Sequence, residues 1–470
     1  MLRREFLSTA MSATLSGSLF AHHNDNECGP TYASPQEAMK APKEKLAFVP
    51  VIYVGTGTKK PDYLATVDVD PTSKTYSKVI HRLPMLNVGD DLHHFGWSVC
   101  SSCHGEKGKH RRYLVVPGLT SGNIHIIDAH NPAKPKHHKL ISGREIKKQT
   151  NLSTPHTVHC APDGTVIISM LGNAKGEAPG GFLKLDADFN LAGRWEKSTK
   201  GMRFNYDFWY QPRHNVMFSS EWAAPNTVRN GFKPADVAAG KYGKRRVVWD
   251  WKAHQIQQTI DLGNDGLIPL EIRMQHNPKS THGFVGAALS SAMWHFFKKG
   301  DKWQARKVIQ VKPHKVKSQT IPGLITDLVL SLDDRFLYFA NWLHGDIRQY
   351  DVSNPDRPKL TGQVWLGGLI GKSPKVRGKK LIGGPQMLQL SLDGKRLYVT
   401  NSLYSVWDNQ FYPQMAKSGS YMLQLDCDTD QGGLSLNEKF YLDFGKEPHG
   451  PARAHEIRFP GGDSTSDIWV

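Results

Sequence analysis

The chain has 470 residues, with 60 basic and 43 acidic side chains and a formal net charge of +17. A basic excess of this size can indicate nucleic-acid binding, but the Lys and Arg residues are scattered and no nucleic-acid-binding module is recognisable. We therefore expect no nucleic-acid partner. No stretch reaches the eighteen or so consecutive apolar residues that a membrane span needs, so we also expect no membrane span.

The N-terminus resembles a twin-arginine export signal. Residues 3–7 read Arg-Arg-Glu-Phe-Leu, and a run of small residues follows up to Ala21. We predict a signal peptide over residues 1–21, recognition by the twin-arginine export machinery and a periplasmic location. Residues 22–45 are polar and are predicted to form an irregular segment ahead of one domain over residues 46–470.

The domain shows internal repeats of strand-length apolar runs separated by Gly, Asp, Asn and Pro, a pattern typical of all-β proteins. Residues 330–338 recur 60 positions later as residues 390–398, and residues 128–135 recur as residues 351–358. Each unit reads as four strands joined by an Asp-Gly turn, a second turn and an Asn-Pro turn. This is the plan of one blade of a β-propeller.

The length of the domain sets the number of blades. At about 50 to 60 residues a blade, the sequence predicts roughly seven blades. We expect residues 467–470 to pair with an N-terminal strand and close the ring. The predicted fold is therefore an all-β, seven-bladed β-propeller.

The histidines suggest a central metal site. The innermost strand of each blade lines the channel, and its start lies on the same face as the turn between the second and third strands. Six histidines map to that face under this scheme: His93, His94, His156, His159, His344 and His455. An all-imidazole donor set suits Cu(II), Zn or Fe, and the stability series favours copper. No catalytic residue is identifiable from the sequence.

The five cysteines form an odd, sparse set, which argues against a disulfide framework. Cys100 and Cys103, followed by His104, match the haem-attachment pattern of c-type cytochromes. The competing interpretations of the pair Cys100 and Cys103 are a redox-active dithiol, a disulfide in an oxidising compartment and a tight turn.

Nearly the whole chain after the leader resembles the selenium-binding protein family, whose members include methanethiol oxidases. The resemblance runs from about residue 28 to residue 470, and its specific motifs are residues 63–70, 80–85, 206–215, 339–346 and 383–387. It implies a propeller and, as in the exported bacterial members, a copper-dependent oxidase. That reaction converts methanethiol, dioxygen and water to formaldehyde, hydrogen sulfide and hydrogen peroxide.

One position departs from the family pattern. Animal members carry a cysteine proposed to bind selenium where this chain has Ser77, so selenium carriage through that residue is in doubt. The family's Cys-Ser-Ser-Cys pair occurs without haem. Two alternatives to the oxidase are kept, a c-type haem electron carrier and a non-catalytic selenium- or thiol-binding propeller. A homo-oligomer is compatible with the sequence.

Overall fold

The computed structural model describes residues 29–470, in which seven four-stranded antiparallel sheets are arranged as the blades of a β-propeller. The predicted seven-bladed propeller is thereby confirmed. The predicted signal peptide, residues 1–21, lies outside the described residues. The first propeller strand begins at Leu46, after a segment that contains one short helix.

Every blade has its strands in simple spatial order from the channel outward. The strands of blades 1 to 4 are Arg453–Ala454, Leu46–Ile52, Tyr63–Asp68 and Lys78–Pro84; Gly96–Trp97, Tyr113–Pro117, Ile124–Asp128 and Lys136–Ile141; Leu152–Cys160, Val166–Asn173, Gly181–Leu185 and Leu191–Arg194; and Phe208–Gln211, Val216–Ser220, Arg245–Asp250 and Gln255–Asp261. Those of blades 5 to 7 are Pro269–Met274, His282–Ala287, Ala292–Lys299 and Lys302–Gln310; Ile325–Leu330, Phe336–Asn341, Asp346–Asp351 and Lys359–Trp365; and Leu388–Leu390, Arg396–Thr400, Tyr421–Cys427 and Leu434–Asp443.

The remaining elements are short. The α-helices are Pro35–Ala38, Gly143–Thr150, Pro225–Val228, Pro234–Ala238, Ser405–Phe411 and Met415–Ser418, and the 3-10 helices are Ser101–Cys103, Pro212–His214, Asn264–Gly266 and Phe444–Lys446. Two hairpins lie between blades, His314–Val316 with Gln319–Ile321 and Lys375–Val376 with Lys379–Lys380. Within residues 29–470, none of the helices has the length and apolar character needed to cross a bilayer.

The burial of each strand follows its distance from the channel. All nine residues of Leu152–Cys160, an innermost strand, are buried. Gln255–Asp261, an outermost strand, instead alternates exposed and half-buried residues. Inner strands are covered on both faces by neighbouring blades, whereas outer strands keep one face in water, which produces the period-two alternation. Polar side chains on an inner strand are therefore held away from bulk solvent.

The sequence repeat corresponds to equivalent turns in blades 6 and 7. The Ser331 hydroxyl donates to the Asp333 carboxylate, and the Ser391 hydroxyl donates to the Asp393 carboxylate in the same way. Each turn joins an innermost strand to the second strand of its blade. The predicted turn between these strands is confirmed; it reads Asp-Gly in blade 7 and Asp-Asp in blade 6, where Asp334 adopts a positive φ of 61° against 74° for Gly394.

Ring closure differs from the prediction. Arg453–Ala454, not residues 467–470, pairs with Leu46–Ile52 to complete blade 1. The C-terminal residues instead pack at the end of the channel where the inner strands finish, and there the Trp469 indole donates to the carbonyl of Tyr32. The apolar tail is buried by this contact with the N-terminal segment, so its hydrophobicity does not mark a strand.

Two long connections form a cap over the face where the inner strands begin. They are residues 221–244 in blade 4 and residues 401–420 in blade 7, each joining a second strand to a third strand. Their aromatic side chains interlock, with ring centroids 5.7 Å apart for Trp222 and Trp407. The cap, defined by these two segments, therefore covers the channel end at which the sequence places the histidines.

A charged side chain lies between blades 4 and 5 without polar partners. The Arg246 guanidinium is fully buried between the rings of Phe218 and Phe296, at 4.2 and 3.6 Å from their centroids. None of its three nitrogens has a hydrogen-bond partner among the described residues, and burial lowers the pKa of Arg246 well below its usual range. This desolvated cation is a source of instability.

Replacing Arg246 by methionine is expected to raise the free energy of unfolding by about 1–4 kcal/mol, because an apolar side chain of similar length avoids the desolvation cost. Chemical denaturation measures the change. Arg246→Lys is the matched control, since it keeps a buried charge and should gain nothing. A methionine variant less stable than the parent chain would contradict this reading of the site.

His276 occupies an aromatic niche at the end of the channel opposite the cap. Its ring lies against Trp209 and Trp469, at 6.3 and 5.7 Å between centroids. Burial lowers the pKa of His276 to about 4, with an opposing contribution from the Leu330 carbonyl and a further lowering by Arg273. The folded protein therefore holds this imidazole neutral in mild acid.

The free energy of unfolding should fall by about 3 kcal/mol through His276 as the pH drops from about 6.5 to about 4. Over this range the unfolded chain binds a proton that the folded chain refuses, so acid favours unfolding. Comparing His276→Phe with the parent chain by denaturation at pH 7 and pH 4 isolates the effect. Equal acid sensitivity of the two proteins would show that His276 does not contribute.

Candidate metal centre

Four histidines meet at the capped end of the channel and are named here the histidine cluster: His93, His94, His156 and His455. One ring nitrogen from each of the first three lies within 4.8 Å of the others. The ring of His455 stacks on His93 with 3.8 Å between centroids. These side chains come from blades 2, 3 and 1, so ring closure brings together residues more than three hundred positions apart in sequence.

Left-handed backbone conformations position two members of the cluster. Asp91 and Thr154 have φ of 55° and 60°, and each lies two residues before a cluster histidine. The register of Leu152–Cys160 against its neighbour also shifts between Pro155 and Val158. Positive φ in non-glycine residues and local bulges are uncommon and concentrate at functional sites, where they redirect a side chain. Here they direct imidazoles into the channel.

Three members of the cluster have one ring nitrogen held by a neighbour and the other nitrogen free. The Nδ1 atoms lie 3.1 Å from Glu456 Oε1 for His94, 2.9 Å from Thr157 Oγ1 for His156 and 2.6 Å from the Ser402 carbonyl for His455. Their Nε2 atoms are buried and have no hydrogen-bond partner among the described residues. Buried polar atoms normally find a partner, and metal-binding imidazoles are fixed through their second nitrogen in this way.

The electrostatic environment keeps the cluster uncharged. Burial lowers the pKa of His93, His94 and His156 well below the usual range and that of His455 to about 3. Neighbouring imidazoles or arginines add to the effect. Neutral imidazole is the form that binds a metal ion. The donor set, its burial and its free nitrogens therefore fit a nitrogen-preferring transition metal such as copper.

A carboxyl group adjoins the cluster without completing a hydrogen bond to it. Glu271 Oε1 is buried, has no hydrogen-bond partner among the described residues and lies 3.6 Å from His94 Nε2. Its other oxygen accepts from Arg273, which also pairs with Asp207 at 2.8 Å. Burial, followed by the charge of Asp207, raises the pKa of Glu271 well above its ordinary value.

An enclosed apolar chamber borders the histidine cluster under the cap. Its volume is about 20 Å³, and His93 forms part of its wall. Its other lining side chains are aliphatic or aromatic except for one threonine, and all are buried; they include Tyr206, Leu270 and Leu403. The Tyr206 ring also packs on His156 at 4.1 Å. This inner chamber could hold a small apolar group next to the imidazoles.

The other two predicted ligands are not part of the cluster. His159 lies three residues beyond His156 and packs against Phe208 and Trp209 at 5.1 Å. His344 lies in the predicted turn of blade 6, but its Nε2 contacts the Ile321 carbonyl at 2.9 Å. The ring is buried and packs on His314, with 4.6 Å between their centroids. The structure therefore does not bring His344 to the histidine cluster.

The predicted redox pair Cys100 and Cys103 is not a disulfide. Cys100 is instead bonded to Cys160, with their Cα atoms 6.3 Å apart, and Cys103 keeps a buried free thiol. Burial raises the pKa of Cys103 above its ordinary value. Because Cys100 follows the inner strand of blade 2 and Cys160 ends the inner strand of blade 3, the bond between them joins these two blades. The role of a redox pair at these two positions is therefore corrected to a structural cross-link and a separate buried thiol.

Covalent haem attachment at this motif is also inconsistent with the structure. Such attachment needs both Cys100 and Cys103 as free, accessible thiols, whereas one is oxidised and the other is buried. His104 contacts Thr31 at 3.1 Å on the surface. The motif lies beyond the end of Gly96–Trp97, at the opposite end of the channel from the cluster.

Sequence reasoning assigned no role to the two carboxyl groups at the cluster, Glu456, which contacts His94 Nδ1, and Glu271, which lies beside His94 Nε2. Glu456 follows His455 directly, and its Oε2 also accepts from the backbone amide of Phe95. Glu271 lies in Pro269–Met274, the innermost strand of blade 5. Their signal in the sequence is a charged residue inside an otherwise buried innermost strand, which becomes readable only when the blade boundaries are known.

The fold and site together define a seven-bladed β-propeller with a buried histidine centre at the capped end of its channel. The model of the 56 kDa selenium-binding protein family matches residues 26–470, and the chain belongs to this family. A human methanethiol oxidase is 56% identical over 466 residues, covering 94% of this chain and 98% of the human one. A mouse selenium-binding protein 2 is 55% identical and covers 94% of this chain and 99% of its own.

A solved structure supports the same assignment. The crystal structure of a hypothetical selenium-binding protein from Sulfolobus tokodaii has a TM-score of 0.89 and 43% identity, and covers 93% of this chain and 98% of that one. The predicted family is thus confirmed. Ser77, the departure noted in the sequence, lies between the outer strands Tyr63–Asp68 and Lys78–Pro84 and accepts a hydrogen bond from the Tyr441 amide.

Proposed function

We propose that this protein is an oxidase that converts methanethiol, dioxygen and water to formaldehyde, hydrogen sulfide and hydrogen peroxide, with copper held by the histidine cluster. The observation that carries the proposal is the set of three buried Nε2 atoms, without a hydrogen-bond partner in the described part of the chain, on imidazoles whose Nδ1 atoms are fixed. Relatives that are 56% identical over nearly the whole chain and are named methanethiol oxidase support the choice of substrate.

The cluster residues are the candidate ligands, namely His93, His94 and His156 with His455 beside them. When bound there, copper would supply the one-electron chemistry that links thiol oxidation to reduction of dioxygen. Glu456 and the Ser402 carbonyl hold two of the imidazoles in a single tautomer with Nε2 directed inward. The protein thus prepares the donor set before any ligand arrives.

The inner chamber would bind the methyl group of the substrate. Its aliphatic and aromatic walls offer no charged group to the methyl carbon, and its burial excludes bulk water from the reacting sulfur. His93 forms the boundary between the chamber and the cluster. A thiol in the chamber would therefore direct its sulfur towards the imidazoles and its carbon towards the apolar wall.

Glu271 is the group best placed to receive the thiol proton. Its Oε1 atom lies beside the cluster and has no hydrogen-bond partner within residues 29–470, while Arg273 donates to the other oxygen. The charge of Arg273 favours the ionised form of Glu271, which can accept a proton, and burial favours the neutral form once the proton has been transferred. Proton transfer to Glu271 Oε1 would leave a thiolate sulfur at the mouth of the chamber.

The proposal includes export to the periplasm. The leader predicted over residues 1–21 supports it, and the bond between Cys100 and Cys160 is of a kind that persists in oxidising compartments. Fractionation of the host that produces the full chain, followed by N-terminal sequencing of the mature protein, tests this part. Recovery of uncleaved protein in the cytoplasm alone would contradict it.

Metal analysis joined to an activity assay tests the function. Purified protein should contain copper, and addition of methanethiol in air should yield formaldehyde, sulfide and hydrogen peroxide in equal amounts. Removal of the metal with a chelator should abolish all three products, and copper, but not zinc, should restore them. Full activity in the metal-free protein would contradict the proposal.

The same assay separates the oxidase from a binding propeller. A non-catalytic selenium- or thiol-binding protein would retain copper or bind thiol without forming any product. Glu271→Gln provides a matched variant, because it keeps the size of the side chain but removes its capacity to accept a proton. Copper content should then stay unchanged while product formation falls.

A further inference from the structure

A second cavity lies outside the inner chamber. It has a volume of about 610 Å³ and is bounded by the cap, by the hairpin that precedes blade 6 and by the turns of blades 5 and 6. The exposed residues Pro234, Gln319 and Gln410 form part of its rim, so it reaches the surface. Its deeper wall is apolar and includes Phe232, Leu343 and Phe411. We name this cavity the vestibule.

The vestibule and the inner chamber share two wall residues, Leu324 and Trp407. The Trp407 indole lies between the two spaces, because its ring is 5.7 Å from Trp222 of the inner chamber and 5.4 Å from Phe232 of the vestibule. Both wall residues are buried, with 4% and 3% of their surface exposed. The described structure therefore separates the two spaces by a single layer of side chains.

The backbone of this layer is unusual. Leu324 has a φ of 57°, a conformation that branched residues rarely adopt, and its amide is held by the Ser291 hydroxyl at 3.2 Å. Ile268, which also lines the inner chamber, has a φ of 59°. Strained positions of this kind persist where the surrounding structure requires a particular side-chain direction. Here both side chains point into the wall of the chamber.

The tryptophan side chain is held mainly by aromatic packing. Its indole nitrogen donates one hydrogen bond, to the Val228 carbonyl at 3.3 Å, and that carbonyl belongs to the other segment of the cap. The rest of the contact is aromatic packing among Trp222, Phe232 and Phe411. Because the indole makes only one polar contact, a smaller side chain at position 407 would open the wall at the cost of a single hydrogen bond.

We propose that Trp407 and Leu324 form a gate through which substrate passes from the vestibule to the inner chamber, and that this gate restricts turnover to the smallest alkanethiols. The inference rests on the proposed function and specifies its substrate range and route. An apolar passage suits a neutral thiol, whereas a charged thiol such as a cysteine-containing peptide would have to lose its hydration shell.

Widening the gate tests the proposal. Trp407→Ala should raise the ratio of kcat/KM for 1-propanethiol to that for methanethiol at least about tenfold, since the extra methylenes no longer meet the indole. Copper content should remain that of the parent protein. Leu324→Ala should shift the ratio in the same direction and serves if the tryptophan variant does not fold.

Trp303→Ala is the matched control. This tryptophan is also buried among aromatic rings, 4.7 Å from Phe218, but it lies in the outermost strand of blade 5 and lines neither cavity. Its removal should leave the ratio unchanged. An unchanged ratio in both gate variants, or an equal shift in the control, would overturn the proposal.

Crystals of the metal-free protein separate failure of the gate from failure of the proposed function. After soaking, methanethiol should occupy the inner chamber of the parent protein, whereas 1-propanethiol should remain in the vestibule and enter the chamber only in Trp407→Ala. 1-Propanethiol in the inner chamber of the parent protein would overturn the gate. If the soaks give the expected result but the copper-loaded protein does not turn over methanethiol, the gate is supported and the oxidase function is rejected.

Discussion

Replacing His156 by alanine is expected to weaken copper binding by more than about 100-fold and to abolish methanethiol oxidation. The imidazole supplies one of the three clustered nitrogens, and its Nε2 atom is buried with no other partner among the described residues. Disruption of an outer partner alone typically costs 10–100-fold in metal affinity, so loss of the donor itself should cost more. Competition with a copper chelator of known affinity measures the change.

Two further variants make this prediction specific. Thr157→Val removes only the hydroxyl that faces His156 Nδ1 and should weaken copper binding by about 10–100-fold. His344→Ala should leave copper binding intact, because that ring contacts His314 and the Ile321 carbonyl rather than the cluster. Full copper retention by His156→Ala, or loss of copper from His344→Ala, would show that the ligands have been assigned wrongly.

Replacing Asp467 by alanine is expected to lower the free energy of unfolding by about 3–5 kcal/mol. Its carboxylate pairs with Arg111 at 2.6 Å, and both side chains are completely buried. It also accepts from the backbone amide and hydroxyl of Ser101. The substitution leaves a buried guanidinium without its counter-charge and removes the acceptor that holds the start of Ser101–Cys103.

Chemical denaturation followed by tryptophan fluorescence measures this loss. Asp301→Ala is the matched control, since Asp301 is exposed and its removal should change stability by no more than about 0.5 kcal/mol. Asp467→Asn should fall between the two, because the amide oxygen can still accept from Ser101. A loss of less than about 1 kcal/mol in Asp467→Ala would contradict a central structural role for the ion pair.

The propeller was predictable because the turn residues of its blades recur in the sequence. Ser331 and Ser391 each form a hydrogen bond with an aspartate two residues later, so these turns can be recognised from the local sequence alone. The closing strand was not predictable in the same way. Arg453–Ala454 is only two residues long and has no hydrophobic alternation. Residues 467–470 are apolar enough to suggest a strand, but Trp469 instead contacts Tyr32 of the N-terminal segment.

The candidate site was predictable only in part, for a related reason. Blade position placed His93, His94, His156 and His455 on one face, which needs no knowledge of side-chain direction. His344 occupies the predicted turn, yet its ring faces the Ile321 carbonyl, and this depends on packing between blades. Rotamers set by neighbours distant in sequence leave no local pattern from which to read them.

The stretch from His93 to Cys103 shows how one motif can contain two separate structures. The histidines precede Gly96–Trp97 and the cysteines follow it, so the strand carries them to opposite ends of the channel. Closeness in sequence therefore does not place these side chains at one site. The pairing of Cys100 with Cys160 depended on the alignment of two neighbouring blades, which spacing within the motif does not encode.

The closing strand has a consequence for how the molecule holds itself together. Arg453–Ala454 joins the two termini of the propeller through two residue pairs, and His455 follows it directly. A metal ion bound by His455 and by the imidazoles of blades 2 and 3 would link this C-terminal strand to two other blades. Opening of the ring at this strand would then require metal–ligand bonds to break. The metal-bound protein should therefore resist local unfolding at Arg453–Ala454, whereas the metal-free protein should unfold there first.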